Sequence, residues 1–141
     1  MSERDSKLHG SWRLLSFELE LQASKERTQP WGSAPNGYLI FGADGRMMAL
    51  VTAKAREPGA EDEKLAALFR TMMAYTGRYR IDGDRFIVAI DASWNEAWNG
   101  TEQARFYQLD GDALHVFTDW MPNPLAAGNA MGRGVLGFTR E

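Results

Sequence analysis

Two short stretches put polar side chains at the two-residue spacing of a β-strand. In Phe86 to Ser93, Asp91 and Ser93 share one parity with Ala89, while Phe86, Val88, Ile90 and Ala92 take the other. In Gln103 to Leu109, one parity holds Gln103, Arg105 and Tyr107. A strand sends alternate side chains to opposite faces, so each set occupies one face. If that face is the inside of a barrel, its polar groups need partners from each other, from water or from a ligand. The two stretches are joined by the Trp94 to Thr101 segment, so they are expected to pair as antiparallel neighbours. Residue 98 is equidistant from Asp91 and Arg105, which places the two as a facing ion pair. Such a pair is a polar anchor for a carbonyl or carboxylate. The same groups also define a catalytic alternative. There Asp91 or Glu18 acts as acid or base through a pKa raised by burial, and Arg105, Tyr79 or Tyr107 polarises a carbonyl.

Much other chemistry is excluded by composition. The chain has 141 residues, no cysteine and two histidines, His9 and His115, far apart. Disulfides, thiol catalysis, zinc–thiolate sites and iron–sulfur clusters are therefore ruled out, and no metal or cofactor is expected. Net charge is −3 and the pI about 5.4, so nucleic acid, which needs clustered Lys and Arg, is not an expected partner. No apolar run approaches the ~20 residues of a membrane helix. The polar start, Met1 to Lys7, does not read as a secretory signal, and a cytoplasmic location is expected. Three further signals have ordinary explanations. The segment Gly128 to Gly134 lacks the spacing and lysine of a phosphate loop. Both Asp-Gly-Asp triplets read as turns rather than calcium ligands. His115 lies between Leu114 and Val116 on a strand, as a packed or surface imidazole.

The elements that must position these residues are mostly strands. Asx-Gly pairs at 36–37, 44–45, 82–83, 99–100 and 110–111 suit the positive φ of tight turns. Between them lie eight strand-like stretches: Trp12 to Leu21, Tyr38 to Phe41, Arg46 to Thr52, Tyr75 to Ile81, Phe86 to Ser93, Gln103 to Leu109, Leu114 to Thr118 and Val135 to Arg140. Leu65, Leu68, Phe69 and Met72 have helical spacing after an acidic first turn, which predicts one α-helix over about 61–74, between the third and fourth strands. Gln22 to Pro35 and Pro122 to Arg133 read as long loops. Residues 1–141 make one domain. Eight antiparallel strands fit a closed barrel, whose interior is filled or holds one small ligand, or a two-sheet sandwich.

The ends of the chain carry a resemblance. Gly10-Ser11-Trp12 looks like the Gly-x-Trp signature of the lipocalins, and Arg140 is placed like the arginine that packs on that tryptophan where the barrel closes. Further segments, including Gly37-Tyr38-Leu39-Ile40-Phe41, Tyr75-Thr76-Gly77-Arg78-Tyr79-Arg80-Ile81-Asp82-Gly83-Asp84 and Gly100-Thr101 through Gln103 and Arg105, fall in the order seen in bacterial and fungal lipocalin-like domain proteins. The chain resembles this calycin-type branch over about residues 8–140. The resemblance implies an all-β, eight-stranded, antiparallel, up-and-down barrel closed by Trp12 and Arg140, with a lined cavity. Some members sit near secondary metabolism. Relatives often carry histidine where this chain has Ile87-Val88-Ala89-Ile90, so functions resting on that histidine do not transfer.

On that frame, Phe41, Met47, Tyr75, Tyr79, Asp91, Ser93, Trp94, Arg105, Tyr107 and Trp120 are the expected ligand-binding residues. Trp94, Trp98 and Trp120 lie in or beside loops, which suits the rim of an opening. With the helix over one mouth, Phe69 or Met72 becomes its lid. The leading expectation is binding of a small hydrophobic molecule in the cavity, as a carrier or sensor. The alternative is a cofactorless isomerase, cyclase or hydratase acting on a hydrophobic metabolite. A homodimer is a further possibility, and no membrane partner is expected.

Overall fold

The computed structural model describes residues 7–141. Strand β1 runs Gly10–Leu21, β2 Arg27–Thr28, β3 Asn36–Phe41 and β4 Arg46–Thr52. Helix α1, Asp62–Arg70, follows. Then come β5 Met72–Asp82, β6 Arg85–Ser93, β7 Glu102–Asp110, β8 Ala113–Phe117, β9 Met121–Pro122 and β10 Met131–Arg140. The hydrogen-bonded order is β1-β3-β4-β5-β6-β7-β8-β10, and β10 pairs back onto β1. Eight antiparallel strands thus close into a barrel and leave no main edge open. The short β2 and β9 pair with β1 and β10 as additions.

Alternation decides the faces. Leu39 and Phe41, Met47, Ala49 and Val51, Phe86, Val88 and Ile90, Leu114 and Val116, and Leu136 and Phe138 point inward and form one hydrophobic core. On β1 the period breaks once. Leu14 pairs with Phe138 and Ser16 with Gly137, so Leu15 is an extra residue, 49% exposed, and Phe17 returns to the core. The barrel seam lies at Trp12 and Arg140, which face each other across β1 and β10 with the guanidinium 4.1 Å from the indole centroid. The indole donates to the Leu8 carbonyl at 2.9 Å, and Arg140 donates to the carbonyls of His9 and Lys7.

Two sequence-based expectations need correction. The helix ends at Arg70, with Thr71 as its C-cap, and not near residue 74. Met72, Met73 and Ala74 instead pair with Thr52, Val51 and Leu50. The helical spacing of Leu65, Leu68, Phe69 and Met72 runs past this end, and the ladder with β4 overrides it. No residue of α1 is buried, and Phe69 is 45% exposed, so neither Phe69 nor Met72 plugs the barrel from a helix. The second correction is Asn36-Gly37. These residues lie inside β3, opposite Thr52 and Val51, and make no turn.

Outside the upper seam, Glu20 is only 7% exposed. Arg133 donates to it at 2.7 Å, and Arg27 lies 3.5 Å from its other oxygen. The Arg133 guanidinium in turn sits 4.5 Å from the Trp120 ring centroid. Burial raises the pKa of Glu20, but the hydrogen bond and charge of Arg133, then Arg27, outweigh it and hold the group below its ordinary 4.5. A depressed folded pKa gives stability that is present above the unfolded value and lost as pH falls through the folded one. Glu20→Gln is therefore expected to flatten the loss of stability as pH falls below the ordinary carboxylate range, read by urea denaturation at several pH values. Equal slopes in wild type and variant would contradict this assignment.

Candidate functional site

The connections distinguish the two ends of the barrel. Tight turns at 42–45, 83–84 and 111–112 join β3 to β4, β5 to β6 and β7 to β8, all at the Trp12 end. The long segments 22–35, 53–71, 94–101 and 118–130 all lie at the other end. Loops of that kind carry function more often than tight turns do. The Trp12 end is closed by packing. Leu8, Trp12, Phe41 and Met47 are each 1% exposed or less. Phe41 contacts Tyr79 and Phe86 edge-on at 5.0 and 5.2 Å, and the Tyr79 hydroxyl donates to the Gly42 carbonyl. Phe41, Met47 and Tyr79 therefore belong to this packed end, well away from the loops.

At the loop end, two tryptophans turn inward. Trp31 is 8% exposed and meets Phe17 edge-on at 5.1 Å. Trp98 is half-buried, 5.4 Å from Tyr75 and 4.9 Å from Trp94. Trp94 donates from its indole to the Phe69 carbonyl of α1, which links the helix to this cover. Short-range bonds fix the Trp98 segment. The Asn95 side chain accepts from the Ala97 amide at the start of a single 3-10 turn, Glu96–Trp98. Asn99 donates to Glu96, and the Thr101 hydroxyl donates to the Trp98 carbonyl at 2.7 Å. The Ser93 hydroxyl lies 2.6 Å from the Asn95 carbonyl and 2.8 Å from the Asn99 side-chain oxygen.

Beneath this cover the polar groups of β7 reach the inner face. Arg105 faces Phe86 and Gln103 faces Val88, both inward residues, and Tyr107 on the same parity is part of the core. Arg105 is half-buried and donates from Nη1 to the Ala104 carbonyl at 2.9 Å and the Gln103 side-chain oxygen at 3.4 Å. Gln103 donates to the Thr101 hydroxyl. A chain of bonds therefore runs from Arg105 through Gln103 and Thr101 to the Trp98 carbonyl. Ser93, opposite the inward Tyr75, completes the polar set.

Asp91 does not join it. Arg105 faces residue 86 rather than 91, and this odd offset of five puts the two side chains on opposite faces. The regular β6–β7 ladder, from Arg85 opposite Phe106 to Ala89 opposite Glu102, sets this register, and alternation after the inward Ile90 turns Asp91 outward. A bulge then follows: Thr76 pairs with Ala92 and Gly77 with Ile90, so Asp91 has no partner on β5 and Ser93 comes to face the inward Tyr75. Asp91 points out of the barrel, where Arg46 binds it with both terminal nitrogens, at 2.8 and 3.1 Å. That hydrogen bond, opposed by some burial, holds the Asp91 carboxyl below its ordinary value. Glu18 is also outside, beside Arg27. Among the described residues, no Asp or Glu occupies the inner face of a barrel strand. Trp120 lies outside too, against Arg133 and Lys25.

The structure thus gathers Tyr75, Ser93 and Trp94 at the loop end, and Arg105 is tied to them through Gln103 and Thr101. It leaves Phe41, Met47, Tyr79 and Tyr107 at the packed end, where Tyr107 lies 6.1 Å from Phe86, and Asp91 and Trp120 outside. Sequence reading missed Trp31. The signal was present: a tryptophan within the polar loop 22–35 has no local apolar partner and so reaches the core.

A closed eight-stranded barrel, sealed at one end and covered by loops at the other, defines the class of small-molecule-sized β-barrels. The lipocalin-like domain family matches residues 9–141, and the chain belongs to that family. A comparison with curated proteins finds no match. Among solved structures, the chain is similar to an uncharacterized protein from Bacteroides eggerthii DSM 20697. The identity is 12% and the TM-score 0.46, with 95% of this chain and 99% of that one covered.

Proposed function

We propose that this protein binds a small hydrophobic molecule in the loop-end half of its barrel, as a carrier or sensor. The observation that carries the reading is the placement of the inward rings Trp31, Tyr75 and Trp98 at the end where the long connections converge, beside Ser93 and the hydrogen-bond chain from Arg105 through Gln103 and Thr101 to the Trp98 carbonyl. An apolar wall with a few placed polar groups is the usual composition of a small-molecule site. Trp98 packs on Tyr75 and Trp94, so a ligand enters by displacing it. Trp98 is the ring to move because it is half-buried on a connection, whereas Trp31 is seated in the core. The placement of Asp91 and Glu18 favours binding over catalysis, since proton transfer inside the barrel would lack its carboxylates.

Titration with Nile red, an uncharged dye that brightens in apolar surroundings, tests this reading. Saturable binding is expected. Trp98→Ala is expected to weaken it about tenfold, which is the effect of losing roughly 50–60 Å² of apolar contact. A dye that never saturates would instead indicate a barrel whose filled interior serves the fold alone.

A further inference from the structure

We infer that the molecule bound at the loop end is an organic anion, a carboxylate on an apolar body, with its charge held by Arg105; the inference rests on the binding function proposed above. Arg27, Arg46, Arg80, Arg85, Arg133 and Arg140 each lie within 3.5 Å of an Asp or Glu oxygen. All six guanidiniums are matched on the outside or at the barrel ends. Arg105 touches two neutral oxygens, those of Ala104 and Gln103, and both bonds use Nη1. Arg56 and Arg78 also bond only neutral oxygens, but Arg56 lies in the 53–71 connection and Arg78 is exposed on β5, whereas Arg105 lies on the inner face of a barrel strand. Its Nε and Nη2 make no hydrogen bond among the described residues. A guanidinium offers donors in a fixed planar fork, and a carboxylate accepts two of them at once.

The local backbone shows how Arg105 is aimed. The amide of Tyr107 donates to the Asp84 carbonyl, so odd residues of β7 turn their backbone groups toward β6. The carbonyl of Ala104 therefore turns toward β8. The β7–β8 ladder starts at Phe106 opposite Phe117, and Ala104 lies beyond it. Arg105 folds along its own strand to bond that carbonyl, and Gln103 holds it from the other side. The guanidinium is thereby tied, through Gln103 and Thr101, to the segment that carries Trp98. A half-buried cation with no carboxylate beside it, on a face that supplies none, is matched by a charge from the ligand. A neutral carbonyl would leave that charge unmatched, so an anion is the better occupant.

The test compares probes that differ only in charge: dodecanoate against dodecanol, and naphthoate against naphthylmethanol. Affinities come from displacement of Nile red from the full chain. At least one acid is expected to bind tenfold or more tightly than its alcohol. Arg105→Gln should abolish the preference, bringing the acid-to-alcohol affinity ratio to about one. Arg105→Lys should keep part of the preference. If Arg105→Gln does not fold, the wild-type ratio and the lysine variant decide. Equal binding of acid and alcohol by the wild type, or a preference that survives Arg105→Gln, would overturn the inference while the binding function stands. If Nile red itself does not bind, the binding function fails and the inference fails with it.

Discussion

Trp12→Ala is expected to destabilise the protein by about 3–5 kcal/mol, the range for loss of a large buried aromatic. Trp12 is fully buried, its indole nitrogen serves the Leu8 carbonyl, and its face carries the Arg140 guanidinium. Alanine would remove the surface on which Arg140 rests, at the seam where β1 meets β10. It would also leave the Leu8 carbonyl without its donor and open a cavity in the core. The segment before β1 is held by Arg140 through the carbonyls of Lys7 and His9, so its anchorage should loosen as well. Urea denaturation at neutral pH measures the effect. A loss below about 1 kcal/mol would show that Trp12 does not hold the seam.

Gly77→Ala is expected to cost about 3 kcal/mol, at the upper end of what overpacking does. Gly77 is buried on β5 where the Asp91 bulge brings β6 close. A Cβ there would overlap the Ala89 carbonyl oxygen and crowd the backbone of Ile90. Both obstacles are backbone in a paired strand, so neither moves cheaply. Gly83 is the control. It has φ 63° in the β5–β6 turn, and nothing lies within 4 Å of its added Cβ. Gly83→Ala therefore meets left-handed strain alone, about 1 kcal/mol. A Gly77→Ala variant no less stable than Gly83→Ala would mean that the close approach of the strands at the bulge is not a constraint.

The barrel was legible in the sequence because its signals are local. Asp44-Gly45, Asp82-Gly83 and Asp110-Gly111 each mark a tight turn, and the glycines take φ of 90°, 63° and 59°. Inward and outward residues on β3, β4 and β8 follow simple alternation. Where local signals and pairing compete, pairing wins. Asn36-Gly37 has turn composition yet lies in a strand, because β4 supplies partners for it. Met72 continues a helical stripe yet enters β5 for the same reason. The candidate site was half legible. The parity that puts Gln103, Arg105 and Tyr107 on one face is readable from β7 alone. Their relation to Asp91 depends on the β6–β7 register, which leaves no mark in the residues between. Counting outward from residue 98 assumes a symmetrical hairpin. The 3-10 turn at Glu96–Trp98 and the early start of pairing at Ala89 and Glu102 break that symmetry.

Native mass spectrometry of the full chain purified from its own host tests ligand binding in the barrel most directly. The spectrum should show the protein with one bound organic molecule, released on collisional activation and detected as an anion. The same preparation of Arg105→Gln should have lost that molecule while keeping its folded charge-state distribution. A wild-type spectrum holding only the mass of the bare chain, under conditions that retain a Nile red complex formed in parallel, would contradict the account.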